Sequence, residues 1–240
     1  SERYLTHKVS LNRFGWFDKY CEKFLTIFPK VGFWGSSWLQ MLFVIIPGLV
    51  VIALIFGLLK SFLLGFMGFL MQLVIFYYCL GPDNVFYPLT SSTRTRVSDE
   101  QNAGNYLAIV NNQMFGVIFW YIALGPVAVL SYRLISLCQN QTIFAEKAKF
   151  VTAILDWLPA RLTVILYLLV GNFQRGFHYL LQKILARPSE NYKVLAEAGL
   201  LAASVEENEQ VTLACAQSLV EHAVIICLVF LAIFTLVSWL

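Results

Sequence analysis

"WLQMLFVIIPGLVVIALIFGLL", residues 38–59, runs for twenty-two positions without a charge, and the whole stretch 31–59 is uncharged. A helix rises about 1.5 Å per residue, so about 20 apolar residues cross the hydrocarbon core of a bilayer. This run is long enough to span. Lys60 interrupts it, and 61–82, with "SFLLGFMGFLMQLVIFYYCL", is again uncharged, which predicts a helical hairpin over 38–82. "MFGVIFWYIALGPVAVLSY" (114–132) and "AVIICLVFLAIFTLVSWL" (223–240) supply two further spans. The reading is an all-α, multi-pass membrane protein with four evident spans. A chain that begins at Ser1 leaves room for an earlier hydrophobic segment, and no cleavable signal peptide is visible.

Composition agrees. The 240 residues are 59% hydrophobic and 13% charged, with a mean hydropathy of +0.70. Soluble domains carry roughly 25% charged residues, so lipid is the solvent for much of this surface. A net charge of +3 gives no nucleic-acid signal and suits basic residues held at headgroups. Cys21, Cys79, Cys138, Cys215 and Cys227 show no metal spacing and read as small buried hydrophobes. Trp38, Trp120 and Trp239 are candidate interface anchors, with Trp120 able to pack inside instead. Lys and Arg number six over 1–30 and eight over 133–193, which leaves the orientation undecided.

Between the spans lie segments of helical period. Residues 1–36 form an amphipathic arm, with Leu5, Phe14, Phe17, Tyr20, Phe24 and Phe28 among basic residues, suited to a membrane surface. Residues 83–113 carry loop or cap chemistry. From 163 to 185 the apolar residues Leu166, Leu169, Val170, Phe173, Phe177, Leu180, Leu181 and Ile184 predict one amphipathic helix. A short helix and an acidic turn, "EENEQ", follow over 189–210. The whole chain reads as a single membrane domain with 114–133 as the third span, 150–187 as broken and amphipathic helices, and 222–240 as the last span.

The sharpest constellation is "FVTAILDWLPARLTVILYLLVG", 150–171. The apolar run 162–174 is too short to span alone, and joining it to 150–161 would put Asp156 and Arg161 in hydrocarbon. Pro159 inside a helix costs about 3 kcal/mol and is tolerated only in its first turn. The segment therefore reads as the end of one helix and the start of another, re-entrant or interfacial. Asp156 then caps the new helix, with Arg161 snorkelling or pairing with it. Alternatively the cap, its open N–H groups and Arg161 hold an anion. Arg133 follows "LSY" as an interface anchor or a phosphate contact, and Gly125–Pro126 is a kink or a hinge. Asn111, Asn112 and Gln113 read as helix-end solvation or as ligand contacts. His7, His178 and His222 are scattered and suggest no metal site, and no nucleotide-loop, serine-hydrolase or zinc-protease motif is present. No cofactor is required by the sequence.

"MFGVIFWYIALGPVAVLSYRLI" (114–135), followed by "ILDWLPARLTVILYLLVG" (154–171), resembles the AmpE/CobD (CbiB) superfamily of bacterial inner-membrane proteins. The likeness is most specific over 110–180, where "FW", "GP", "YR" and "LDWLPARL" keep their spacing. The CobD branch comprises adenosylcobinamide-phosphate synthases of cobalamin biosynthesis. That branch has an Asn and an Asp before "FW", where this chain has Ile109 and Asn112. It has Leu-Asp-Ser-Met after "YR", against Cys138, Gln139, Asn140 and Gln141 here, and an Asp-Asp pair before "PAR", against Thr152 and Ala153. Metal- or nucleotide-assisted activation of a carboxylate would use such acids, so synthase chemistry is the alternative reading. "LDWLP" looks like the AmpE branch, which implies a non-enzymatic regulator or sensor of the inner membrane. It further implies links to β-lactamase induction and to cell-wall recycling through the amidase AmpD. On this reading Asp156, Arg161, Arg133, Asn111 and Asn112 form a pocket for a small anionic or nucleotide-like ligand, and the lipid bilayer is the constant partner.

Overall fold

A computed structural model describes residues 14–27, 37–60, 66–81, 99–204 and 211–239. The arm before Phe14 and over 28–36, the segment 82–98, the acidic turn within 205–210 and the side chain of Trp239 lie outside the described residues. All regular structure described is helical: α1 (Gly15–Ile27), α2 (Ser37–Lys60), α3 (Phe66–Cys79), α4 (Asp99–Val110), a π segment (Asn111–Phe115), α5 (Gly116–Leu124), α6 (Pro126–Cys138), α7 (Ala145–Leu155), α8 (Trp157–Val170), α9 (Phe173–Lys183), a 3₁₀ turn (Pro188–Glu190), α10 (Asn191–Ala203) and α11 (Leu213–Trp239).

Fewer than the four expected spans stand out among the described residues. Among the described residues, Glu100–Leu124 and Leu213–Val237 are each long and apolar enough to cross a membrane, and α7 with α8 makes a third if that bent pair counts as one span. The stretches Trp38–Leu54, Gly68–Cys79 and Pro126–Cys138 are shorter apolar helices. The third expected span is displaced as well. Gly125 takes φ +83°, which ends the first helix, and Pro126 opens α6 at its first turn, where its missing N–H is harmless. The glycine–proline pair separates two helices rather than kinking one.

Residues 99–113 are helix, not loop. Ala103, Leu107, Val110 and Asn111 recur on one buried face, while Gln101 and Asn102 face outward. The helix expected over 163–185 is broken at Gly171–Asn172, where the Asn172 side chain accepts from the Arg175 N–H at 3.4 Å and caps α9. A Cβ on Gly171 would lie 2.1 Å from the Ala202 carbonyl oxygen, and the Asn172 N–H donates to that oxygen at 2.8 Å. The backbone approach breaks the helix there despite the continuing apolar period.

The chain forms two compact units, residues 1–83 with 117–155, and 84–116 with 156–240. In the first, Phe17 and Cys21 of α1 pack with Met41, Val44 and Ile45 of α2, Ile75 and Cys79 of α3, and Val129, Tyr132 and Leu134 of α6. The spacing of Phe14, Phe17, Tyr20 and Phe24 points one aromatic face inward and leaves Asp18, Lys19, Glu22 and Lys23 outside. Trp120 packs against this core. In the second, α8 buries Val164, Tyr167 and Leu168, α4 buries Leu107, and α10 buries Val194, Leu195 and Ala198. Gly199 lets α10 close in: a Cβ there would sit 2.8 Å from Leu107 Cδ1. Along α11 only 11% of the best spanning window is buried, leaving Leu228, Phe230 and Phe234 exposed as a lipid-facing surface.

Candidate functional site

The break at Asp156 falls where proline requires it, with Asp156 at the N-cap of α8 and Pro159 in its first turn. The capping bond expected of its carboxylate is not made. Its Oδ2 instead accepts from the Asn112 side-chain amide at 3.3 Å. Asn112 stands in the π segment, where the wider turn carries it and Asn111 toward α8. Asn111 is buried, and Thr163 Oγ1 donates to its Oδ1 at 2.9 Å. Tyr167 Oη donates to the Leu107 carbonyl at 3.0 Å, one turn ahead of the π segment. Asn111 and Asn112 are thus mid-helix groups held by α8, which replaces helix-end solvation as their role.

Arg161 neither snorkels nor pairs with Asp156. It is 4% exposed. Its Nε donates to the Ile184 carbonyl at 3.2 Å, Nη1 to the Trp157 carbonyl at 3.1 Å and to Asn191 Oδ1, and Nη2 to the Ala186 carbonyl at 2.9 Å. Its guanidinium carbon lies 4.7 Å from the centre of the Trp157 ring, whose Nε1 also donates to the Ala186 carbonyl, at 3.0 Å. A planar fork and one indole therefore bind α8 to the turn after α9 and to the start of α10. The short-range reading failed because three of the four acceptors lie 23–30 residues downstream.

Arg133 belongs to the first unit, whereas Asn111, Asn112, Asp156 and Arg161 belong to the second. It is 4% exposed, on α6, with its guanidinium carbon 5.1 Å from the centre of the Phe14 ring. It lines a cavity of about 440 Å³ whose other walls are apolar or aromatic, among them Phe14, Tyr20, Pro47, Ile75 and Leu134. The sequence pointed to Arg133 but not to this lining, although the aromatic period of α1 was its signal. At the positions where the resemblance places acids in the synthase branch, Gln139 is half-buried, Thr152 is buried, and Asn112 donates to Asp156. Among the described residues no group of three or more His, Cys, Asp or Glu gathers to hold a metal.

A family model described as "Regulatory signalling modulator protein AmpE" matches residues 85–240. No curated protein and no solved structure gives a match.

Proposed function

The chain belongs to the AmpE family, and from that premise we propose that it is a regulator of the bacterial inner membrane, tied to β-lactamase induction and cell-wall recycling, that responds to a small anionic ligand. The observation that carries the ligand is Arg133: a buried guanidinium at the wall of a cavity of about 440 Å³. Its planar fork matches a carboxylate or phosphate in geometry. Asp156, Asn111, Asn112 and Arg161 act as the frame of the second unit. Arg161's donors are engaged by protein acceptors, and the Asp156 carboxylate repels an anion. A functional link to the AmpD pathway is part of the same reading.

The test is complementation. In a strain deleted for the gene, β-lactamase induction by a β-lactam is restored by the wild-type chain and not by Arg133→Gln present in the membrane at equal level. Purified protein gains thermal stability with muropeptides or nucleotides when these are the ligand. Full complementation by Arg133→Gln would sink the proposal.

A further inference from the structure

We infer that the outer face of α9 is seated in the bilayer at the boundary of headgroups and acyl chains, where Arg175, Lys183 and Arg187 gather anionic lipid. This surface belongs to the second unit and asks nothing of the cavity at Arg133, so it stands or falls apart from the regulatory reading.

Packing uses one edge of α9. A Cβ on Gly176 would lie 2.1 Å from Leu168 Cδ2, and Leu180 is buried, so this edge closes onto α8. Arg161 ties the far end to the start of α8 through the Ile184 and Ala186 carbonyls. The helix therefore returns alongside α8 as an antiparallel hairpin. Tyr179 Oη donates to Glu197 on α10, which is a further tie.

Beside the packed edge, apolar side chains turn outward. Phe173, Phe177 and Leu181 recur every four residues, Ile184 and Leu185 extend the row, and all five are exposed, Leu185 to 83%. The Phe173 and Phe177 rings stack with their centres 4.8 Å apart. Leu158, Leu162, Ile165 and Leu169 of α8 are exposed at helical spacing too, so both helices of the hairpin show hydrocarbon outside the bundle. An apolar surface of that extent marks an interaction site. A helix with such a face and a basic polar side settles about 5–10 Å into the boundary between headgroups and acyl chains.

Charge selects the cover. No Asp or Glu occurs over 157–189, whereas Arg175, Lys183 and Arg187 all do. Among the described residues, no hydrogen bond or ion pair engages the side chains of these three cations, while nearby Lys193 is paired with Glu197 at 3.7 Å. Long-stemmed cations beside an apolar row match phosphates lying above acyl chains. A second copy of the chain fits worse, because a two-fold contact through this face would bring the same cations of both chains together.

The test uses the full chain in phosphatidylcholine nanodiscs, with Phe177→Trp as a fluorescent reporter read as the difference from wild type. Phosphatidylglycerol or phosphatidylcholine, brominated along the chain and added at equal mole fraction, supplies the quencher. We expect both lipids to quench, the phosphatidylglycerol at least twofold more strongly. Raised salt should remove that excess, since it screens exposed charge, and so should Arg175→Gln, Lys183→Gln and Arg187→Gln combined. Quenching by the phosphatidylcholine should survive both. All four substituted positions are exposed or half-buried, circular dichroism compares the folded states, and the salt arm needs no charge variant. Equal quenching by the two lipids, or an excess that survives salt or the triple variant, would overturn the inference. Absence of quenching beyond wild type would do the same by placing α9 outside lipid, and a disulfide between two Leu181→Cys chains would then identify a second copy as the cover.

Discussion

Arg161→Lys keeps the charge and removes the fork, and it should unfold the second unit more readily. The guanidinium places four hydrogen bonds in one plane, to Ile184, Trp157, Ala186 and Asn191, from a side chain that is 4% exposed. An ammonium at the end of the shorter stem reaches two of these acceptors at most. Two buried acceptors are then left short, at about 1 kcal/mol each. The stacking on Trp157, 4.7 Å away, contributes about another 1 kcal/mol. The sum is about 3 kcal/mol, and Arg161→Met, which leaves all four neutral acceptors short at about 1 kcal/mol each, should cost about 4 kcal/mol. Unfolding by sodium dodecyl sulfate in mixed micelles, followed by far-ultraviolet circular dichroism, measures it. If Arg161→Lys stays within about 0.5 kcal/mol of wild type, the range of an ordinary surface change, Arg161 is no staple and its donors are open to a ligand.

Gly171→Ala would set a Cβ 2.1 Å from the Ala202 carbonyl oxygen and should cost about 1–3 kcal/mol in the same titration, whereas Gly48→Ala, with 3.9 Å to its nearest neighbour, should be neutral or mildly stabilising. Thr163→Val removes the 2.9 Å bond to Asn111 and should cost about 0.6 kcal/mol and no more than about 1.7, the average and the maximum for such bonds between membrane helices; combining it with Asn111→Val should cost less than the two changes added. The Cys21 thiol is pushed up to about 11, first by burial and then by the Asp18 carboxylate. Folding therefore favours its protonated form, and that contribution is intact below the ordinary thiol value of about 8.5 and lost as pH climbs through about 11. Iodoacetamide at neutral pH should modify the exposed Cys215 and spare Cys21, and the stability gap between wild type and Cys21→Ala should narrow from pH 9 toward 11.

The sequence made the helical membrane class plain because charge is absent over whole runs such as 38–59, and composition alone decides the solvent. The break before Pro159 was equally legible, since proline excludes itself from a helix interior whatever surrounds it. The polar part of α4 and the π segment after it were misread because Asn105, Asn111 and Asn112 are turn formers by local chemistry. Partners distant in sequence hold them in the helix: Tyr192 Oη donates to Asn105 at 3.0 Å, Thr163 to Asn111, and Asn112 itself donates to Asp156. Period failed at Gly171 for a related reason. The apolar pattern continues through 173–181, and only the approach of the Ala202 backbone ends α8.

The two arginines show why a motif read locally can combine residues that do different work. Both stand in apolar helices, both are 4% exposed, and the "YR" and "PARL" landmarks give them equal weight. Their surroundings differ in kind. Four protein oxygens at fixed angles surround Arg161, so shape is what the second unit requires there, and lysine is a poor substitute. Arg133 lines a cavity, with the Phe14 ring 5.1 Å away. Positive charge is what an incoming anion requires at that position, and lysine supplies much of it. Arg161→Lys should therefore lower stability, and Arg133→Lys should fold normally and restore more β-lactamase induction than Arg133→Gln. If Arg133→Lys instead matches Arg133→Gln in the complementation assay, recognition at the cavity depends on the guanidinium's geometry, and the division between a shape-bearing and a charge-bearing arginine is wrong.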